Sequence, residues 1–231
     1  MAGRGGNDIA SAVTWMLEKV IGDKPTVKTF ILWFDSCVPQ NRNSYMSAAM
    51  REFILKHPQI DIIEQKFCEP GHSCIQEVDN IHSQIDRAFS PAEIFSPLGV
   101  VRTLPNVNRR NPFTVVKIQP NNVKAFNEVA ALMNYKTIPY FSVKILVYRR
   151  DNLNYVFYKM GFREVFKQAK VMKHHQTRHS VQTKKNSVMI PDAKIVKNAD
   201  QTISVAKKKD IESMYPYMPQ IDVAFYKTIL K

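Results

Sequence analysis

The stretch VKTFILWFD, from Val27 to Asp35, decides the fold of this chain, because it has the composition of a buried strand that ends at a carboxylate. The five residues from Phe30 to Phe34 carry no polar side chain. Such a run is typical of a strand buried on both faces of a parallel sheet. Open parallel sheets hold their functional groups beyond the carboxyl ends of their strands. The sequence therefore predicts a functional position at Asp35, unless this residue only ends the strand.

The elements that flank this strand predict an α/β fold. Apolar residues recur at helical spacing before it, from Ile9 to Ile21, and after it, over a helix from about Asn43 to Lys56. Pro58 ends this second helix, since proline disfavours helical angles in the residue before it. A strand from Ile60 to Phe67 and a third helix from Ser73 follow. This alternation predicts a sheet whose first two strands are parallel.

Beyond Pro91 the apolar pattern weakens, and the chain divides into two predicted parts. Residues 1–105 are expected to form the α/β core, and residues 106–231 a basic α+β extension packed on it. The segment near 174–186 is expected to be mobile, because it offers little apolar area to offset the entropy of ordering. The elements predicted in the extension are a strand over Phe113–Ile118, a helix over Val123–Met133, a hairpin of Tyr140–Tyr148 and Tyr155–Tyr158, and two short helices between Lys207 and Leu230.

The net charge of +13 is concentrated in the second half of the chain. Residues 1–100 contain nine Lys and Arg against twelve Asp and Glu, whereas residues 101–231 contain 24 against eight. Such a surface attracts polyanions with an affinity that falls as the salt concentration rises. Nucleic acid, and DNA in particular, is therefore the expected partner.

The cysteine content and the apolar runs indicate the expected compartment. Three cysteines, Cys37, Cys68 and Cys74, do not make a disulfide framework, and the first residues lack the apolar core of a secretion signal. We therefore expect a nuclear or cytoplasmic protein that is not secreted. The longest apolar runs hold about five residues, far fewer than the roughly 20 needed to cross a bilayer, so no membrane partner is expected.

Two acids share one side of the third helix. Asp79 and Asp86 are seven residues apart, so that their side chains point within about 20° of each other. Their stripe lies beside the apolar positions, which predicts a place at the rim of the core. Two interpretations remain open. The acids belong to a solvated helix face, or they meet Asp35 at a site for a hard divalent cation.

Three short motifs cover these acids: DSCVPQNRN from Asp35 to Asn43, EPGHS from Glu69 to Ser73, and DNIHSQID from Asp79 to Asp86. They resemble a large uncharacterised domain family of transposon-derived eukaryotic proteins. Its usual patterns are Asp-Asn-Cys-x-Gly-Gln-Asn-Lys-Asn, Gly-His-Ser and Asp-x-x-His-x-x-Ile-Glu. The likeness extends more loosely from about Gly3 to the end of the chain. This family in turn resembles the DDE transposase group of the ribonuclease H-like superfamily.

The resemblance implies a ribonuclease H-like core with a two-metal site. Asp35 would be the second catalytic acid, at the end of the fourth strand, and Asp79 the third, with Asp86 as its competitor. These acids would bind Mg²⁺ or Mn²⁺ for phosphodiester hydrolysis or strand transfer. Ser36 and Pro39 depart from the Asn and Gly of the family pattern, and Asp86 replaces its Glu.

The resemblance also implies that the chain begins at the helix before the fourth strand. The first three strands, and the first catalytic acid with them, would then be absent, and Val27–Asp35 would have an open, hydrophobic edge. We therefore expect a transposase-derived fragment that keeps nucleic-acid affinity while its two-metal chemistry is degenerate. The alternative is a non-enzymatic module that uses the open edge and a basic face to bind a protein partner or a second copy of itself.

Basic and amide side chains complete the predicted site. The expected nucleic-acid contacts are the basic residues of the extension, namely Arg109, Arg110, Arg149, Arg150, Lys159, Arg163, Lys167, Lys170 and Lys173. The side chains expected near Asp35 are Gln40, Asn41, Asn43 and His72. The three amides fit turn formation and helix capping equally well.

Two further patterns each have more than one interpretation. Aromatic residues between Tyr140 and Tyr158 alternate with Lys and Arg, which fits either stacking on single-stranded nucleic acid or a hydrophobic core. The three cysteines with His72 could bind zinc, although Cys-x3-His-x-Cys is not a usual zinc pattern. Cys37 and His72 could also act as nucleophile and base, but incidental thiols explain the cysteines more simply.

Overall fold

The computed structural model describes residues 5–68, 76–172, 191–196 and 203–230. These residues form a mixed α/β structure, which confirms the predicted class. In chain order the elements are α1 Gly6–Asp23, β1 Thr29–Phe34, α2 Ser44–Lys56, β2 Ile62–Phe67, α3 Gln76–Phe89, α4 Pro97–Val107, α5 Phe126–Leu132, β3 Ile145–Arg149, β4 Tyr155–Lys159, β5 Lys167–Lys170, α6 Val205–Ser213 and α7 Gln220–Ile229. No helix in this part of the chain is long and apolar enough to span a membrane.

All five strands belong to one sheet, in the order β1-β2-β3-β4-β5. β1 and β2 are parallel, with Thr29 beside Ile62, as the sequence predicts. The hairpin of β3 and β4 is also confirmed. β3 pairs antiparallel with β2, so the hairpin extends the sheet of the first two strands. β5 then pairs antiparallel with β4 and was not predicted.

The chain forms two compact units, and each consists of two segments of sequence. Unit 1 comprises Met1–Cys74 and Ile118–Lys197, and unit 2 comprises Ile75–Lys117 and Asn198–Lys231. Unit 1 holds the whole sheet with α1, α2 and α5, and unit 2 holds α3, α4, α6 and α7. The division of the sequence at residue 105 into core and extension stays a prediction, and the segment 174–186 lies outside the described residues.

The core of unit 1 lies between α2 and one face of the sheet, called here the inner face. Phe30, Ile63, Leu146 and Val156 point into this core from successive strands, and Phe53 of α2 packs on Phe30 with ring centroids 6.1 Å apart. The side chains between these positions point to the opposite face, called here the outer face. They are Ile31, Trp33, Ile62, Glu64, Lys66, Ile145, Val147, Arg149, Tyr155, Phe157, Lys159, Gln168 and Lys170.

The prediction that β1 is buried on both faces is wrong. Phe30 is buried on the inner face, whereas Ile31 and Trp33 on the outer face are 54% and 45% exposed. β1 is an edge strand, with β2 as its strand neighbour. The prediction failed because the outward positions of this edge strand carry apolar side chains, which removes the polar alternation that normally marks a half-exposed strand.

A polar network crosses the core of unit 1. The hydroxyl of Tyr148 donates to Oε1 of Gln65 at 2.7 Å and lies 2.7 Å from Oγ of Ser47. Tyr140 donates to the same Oγ at 2.8 Å. Burial raises the pKa of Tyr140 and Tyr148 well above the usual value, so both hydroxyls stay protonated and can donate.

Unit 2 is helical in its described part. Ser96 caps α4 by accepting the N–H of Leu98 at 3.2 Å, and its hydroxyl donates to the carboxylate of Asp222 in α7. Arg102 of α4 donates to the same carboxylate at 3.1 Å. The strand predicted over Phe113–Ile118 is wrong, because this segment pairs with no strand among the described residues.

Candidate functional site

The loop that leads from β1 into α2 is shaped by Asn43. Its Oδ1 accepts the backbone N–H of Tyr45 and of Met46, both at 3.0 Å, which makes it the N-cap of α2. Its Nδ2 donates to the carbonyl oxygens of Val38 at 3.0 Å and Pro39 at 3.1 Å. The turn and capping interpretation is therefore confirmed for Asn43, and its amide has no capacity left for a ligand.

Asp35 lies just beyond the carboxyl end of β1 and is exposed. Its Oδ1 accepts a hydrogen bond from the side-chain amide of Asn41 and a longer one, of 3.4 Å, from the N–H of Cys37. Arg42 is 5% exposed, and its guanidinium lies 5.7 Å from the ring centroid of Phe67. Burial lowers the pKa of Arg42, while the charges of Asp35 and Cys37 act in the opposite direction. The charge of Asp35 therefore only partly offsets the cost of burying this cation.

Two polar atoms under this loop have no hydrogen-bond partner in the described part of the chain. They are Oδ1 of Asn41 and Nε of Arg42. Both side chains are more than nine-tenths buried. Buried polar atoms of this kind are commonly satisfied by ordered water. The loop is therefore a polar environment, in which one acceptor and one donor remain available.

The ends of β1 and β2 meet, as expected for parallel neighbours. The N–H of Cys68 donates to the carbonyl of Phe34 at 3.1 Å, and the hydroxyl of Ser36 donates to the carbonyl of Cys68. Gln40 is half-buried, and its N–H donates to the carbonyl of Cys37 at 3.2 Å. The other expected members of this site, His72 and Cys74, lie outside the described residues, so the zinc and nucleophile interpretations stay predictions.

The three acids of the predicted metal site belong to different units. Asp35 lies in unit 1, whereas Asp79 and Asp86 lie on exposed positions of α3 in unit 2. Val78 and Ile81, which belong to the apolar positions of this helix, are 41% and 38% exposed. The amphipathic pattern of α3 therefore does not place these acids at the rim of a core within unit 2.

The residues at the end of β1 fit a divalent cation poorly. Arg42 is close enough to Asp35 for their charges to interact, so a second positive charge near Asp35 would be repelled. Within the described ranges, no group of three or more His, Cys, Asp or Glu side chains is placed to share a metal ion. No metal-dependent step follows from this arrangement.

Several of the basic residues expected to contact nucleic acid share the sheet. Arg149, Lys159 and Lys170 point to the outer face, Lys167 is exposed on β5, and Arg163 is exposed in the loop between β4 and β5. In unit 2, the exposed pair Arg109 and Arg110 follows α4. Lys173 lies outside the described residues.

Arg150 has a structural role instead. Its guanidinium donates to the backbone carbonyls of Ile54, His57 and Ile60, the last at 2.8 Å. These contacts connect the end of the β3 strand to the C-terminal end of α2. A guanidinium that is engaged with three carbonyls has little remaining capacity to bind a phosphate.

The aromatic residues of the hairpin are divided between the two faces of the sheet. Tyr148 is buried on the inner face, while Tyr155 and Phe157 are half-buried on the outer face. The core interpretation is therefore confirmed for Tyr148, and the stacking interpretation stays a prediction for Tyr155 and Phe157. Trp33 and Lys66 also point outward, and neither was predicted as a binding residue. Trp33 was not expected at the surface, because β1 was predicted to be buried on both faces.

No protein-family model matches this chain, and comparisons with curated proteins and with solved structures found no match. Its function must therefore be argued from the residues that the structure brings together. Of these, the exposed basic groups on and beside the sheet are more numerous than the acidic ones.

Proposed function

We propose that this chain is a nucleic-acid-binding protein, derived from a DDE-type transposase and built on part of a ribonuclease H-like core. Its activity is binding rather than cleavage. The observation that carries the proposal is the charge of residues 141–172, which hold seven Lys and Arg against two acids and form β3, β4, β5 and their loops. Exposed cations attract the phosphate backbone through release of its counterions.

The ancestry is supported by the order of the first elements. A helix, a strand, a second helix and a parallel second strand follow one another, and Asp35 ends the first strand. β1 has no strand neighbour on its other side among the described residues. This is where further strands of a ribonuclease H-like core would pair.

The preference for binding over cleavage follows from the surroundings of Asp35. This carboxylate lies within the electrostatic influence of Arg42 and accepts a hydrogen bond from Asn41. A metal ion would have to displace that hydrogen bond and would be repelled by Arg42, which lowers its affinity. Arg163 and Lys167 are exposed, and phosphate binding at these two residues requires no such rearrangement.

Salt-dependent DNA binding tests the proposal. We expect wild-type protein to bind a fluorescent duplex with an affinity that falls steeply as salt rises. Arg163 and Lys167 are exposed, so the double variant Arg163→Gln/Lys167→Gln should fold normally. It should reduce the slope of log affinity against log salt by up to about 2. The matched control Lys24→Gln/Lys136→Gln, at exposed positions outside the basic segment, should leave the slope unchanged. Salt-independent binding would contradict the proposal.

A calorimetric Mn²⁺ titration tests the absence of metal chemistry. We expect wild-type protein and Asp35→Ala to give the same heat, because Asp35 is hydrogen-bonded to Asn41 and the nearby charge of Arg42 repels a cation. Binding heat that is present in wild type and lost in Asp35→Ala would restore the two-metal interpretation.

One observation favours a second function, assembly through the edge of β1. This edge leaves backbone groups available to another strand, and Ile31 and Trp33 beside it are exposed. Light scattering after size-exclusion chromatography would then give a dimer mass. A monomer at all concentrations would remove this alternative.

A further inference from the structure

Aromatic and basic side chains alternate on the outer face of the sheet and in the loop beside it. We call this set the aromatic–basic cluster. Its aromatic members are Trp33, Phe157, Phe162 and Phe166, and its basic members are Lys66, Arg149 and Lys159. The strand register places Trp33 beside Lys66. The cluster thus extends from the edge strand β1 to β4 and to the loop that precedes β5.

The rings of the cluster are accessible. Trp33 is 45% exposed, Phe166 is 50% exposed, and Phe162 lies 6.0 Å from Trp33, measured between ring centroids. α2 packs on the inner face, and the buried residues Ile145 and Val147 lie at the centre of the outer face, so that the exposed rings surround this centre. Side chains of this size are normally buried on folding, so their exposure here requires an explanation.

Three rings of the cluster each form a cation–π contact. Nζ of Lys66 lies 5.4 Å from the ring centroid of Trp33, the guanidinium carbon of Arg149 lies 5.6 Å from that of Phe157, and Nζ of Lys159 lies 4.3 Å from that of Phe166. Such contacts hold the cations beside the ring faces. A ligand that stacks on a ring would therefore meet a positive charge at its rim.

The charge of the outer face is positive despite two acids near the cluster. Lys66 lies 3.5 Å from Glu64, and Arg149 lies 2.6 Å from Asp151. Lys159 forms no ion pair with the described acids, and Lys170 adds a further positive charge on the same face. Glu64 is the acid that points to this face from the strands.

We propose that the aromatic–basic cluster binds single-stranded nucleic acid, with bases stacked on Trp33, Phe157 and Phe166 and phosphates beside Lys66, Arg149 and Lys159. This inference rests on the nucleic-acid affinity proposed above and assigns it a site and a strand state. Stacking requires bases whose faces are free, which a single strand offers and a duplex does not. A sheet surface with projecting rings is a known solution to this requirement.

A protein partner fits the cluster less well. The centres of protein interfaces are depleted in lysine, since a buried ammonium loses its hydration. Here Trp33, Phe157 and Phe166 each have one Lys or Arg beside the ring, and two of the three cations are lysines. A polyanionic ligand with aromatic bases can stack on the rings of the cluster and pair its phosphates with the cations.

The test compares a labelled oligothymidine of about 12 nucleotides, within the usual length range for a single binding fold, with a hairpin duplex. Fluorescence anisotropy should show tighter binding of the single strand. Trp33→Ala and, separately, Phe166→Ala should each weaken single-strand binding about 5- to 100-fold. Duplex binding should change much less. Phe166 lies in a loop, so that its variant tests the cluster even if Trp33→Ala is unstable.

Phe141→Ala is the matched control, since Phe141 is 84% exposed but lies beside Pro39 and Tyr45, away from the cluster. It should bind the single strand as wild type does. In a Trp15→Phe background Trp33 is the remaining tryptophan, and its fluorescence should be quenched by the oligonucleotide.

Three outcomes would overturn the inference, and they are distinguishable. If wild-type protein binds DNA but both cluster variants bind the single strand with unchanged affinity, the site is wrong and the proposed function stands. If wild-type protein binds neither the oligothymidine nor the hairpin duplex even at low salt, both proposals fail. If the cluster variants change only the mass measured by light scattering, the cluster is a protein interface.

Discussion

At the scale of single residues, Arg42 changes the interpretation of the motif that contains it. The spacing of Asp35, Asn41 and Asn43 is compatible with a catalytic loop, but the structure gives each of them a defined partner within the loop. Arg42 is buried against Phe67, and the charge of Asp35 acts against the cost of that burial. Holding Asn41 and offsetting a buried cation give Asp35 a structural reason to be present.

His57 gives a prediction at the same scale. Burial lowers its pKa, three nearby cations lower it further, and Glu18 raises it. The folded state therefore binds this proton less readily than the unfolded state, whose pKa is about 6.5, so that the free energy of unfolding decreases as the pH falls below that value. We expect a lower urea midpoint at about pH 5.5 than at about pH 7.5.

His57→Gln should reduce this decrease in the urea midpoint at low pH, because the substitution removes the group whose protonation is disfavoured. His82→Gln, at an exposed position of α3, should keep the full drop. Denaturation followed by circular dichroism at both pH values measures the difference. An identical drop in wild type and His57→Gln would show that other groups cause the pH dependence.

At the scale of elements, the position of β1 decides which apolar side chains of the sheet stay exposed. Its inner residues face α2, while Ile31 and Trp33 remain exposed on the outer face. The pairing of β3 with β2 brings the basic hairpin into the same sheet. Trp33 and Phe162, which are more than 100 residues apart in sequence, thereby become neighbours, with ring centroids 6.0 Å apart.

The attachment of α2 to its surroundings gives a second prediction. Glu52 is 8% exposed at its side chain, and its Oε1 accepts hydrogen bonds from Lys56 at 2.7 Å and Lys124 at 3.2 Å. Its Oε2 accepts the N–H of Ala193 at 2.8 Å. Glu52→Gln removes the charge and places an amide donor against another donor. We expect the free energy of unfolding to fall by about 1–3 kcal/mol.

Urea denaturation of Glu52→Gln and of wild type would measure this loss. Glu164→Gln is the matched control, because Glu164 is an exposed glutamate of the same unit, and it should change the stability by less than about 0.5 kcal/mol. Equal stability of Glu52→Gln and wild type would mean that the three contacts contribute nothing net.

At the scale of the whole molecule, the two units differ in how much apolar surface they bury. The core cluster belongs to unit 1. Among the described residues of unit 2, the buried apolar side chains are Val223 and Leu230. Burial of apolar area is the main source of stability, so unit 2 is expected to be the less stable one.

This difference predicts unfolding in two steps when unit 2 is weakened. Asp222, 1% exposed at its side chain, joins α7 to α4 through Ser96 and Arg102. Its pKa is lowered by the hydrogen bond from Ser96 and then by Arg102, against the effect of burial. Asp222→Asn removes this charge and should destabilise unit 2 selectively.

Both tryptophans, Trp15 and Trp33, lie in unit 1, so their fluorescence reports unit 1 while circular dichroism reports both units. In Asp222→Asn the circular dichroism transition should begin at lower urea concentration than the fluorescence transition. Asp210→Asn, at an exposed position of α6, is the control and should behave as wild type. Coincident transitions in Asp222→Asn would mean that the two units unfold together.

The sequence by itself determined the local elements and their order. The cap at Asn43, the hairpin and the two C-terminal helices follow from contacts between residues close in sequence, which local patterns record. The parallel pair of β1 and β2 follows from the order strand, helix, strand, because a crossover helix returns the chain to the same end of the sheet. Only the tertiary structure decided which faces are covered. The exposure of Trp33, the pairing of β3 with β2 and the burial of Arg42 depend on residues far away along the chain, and no local pattern contains that information.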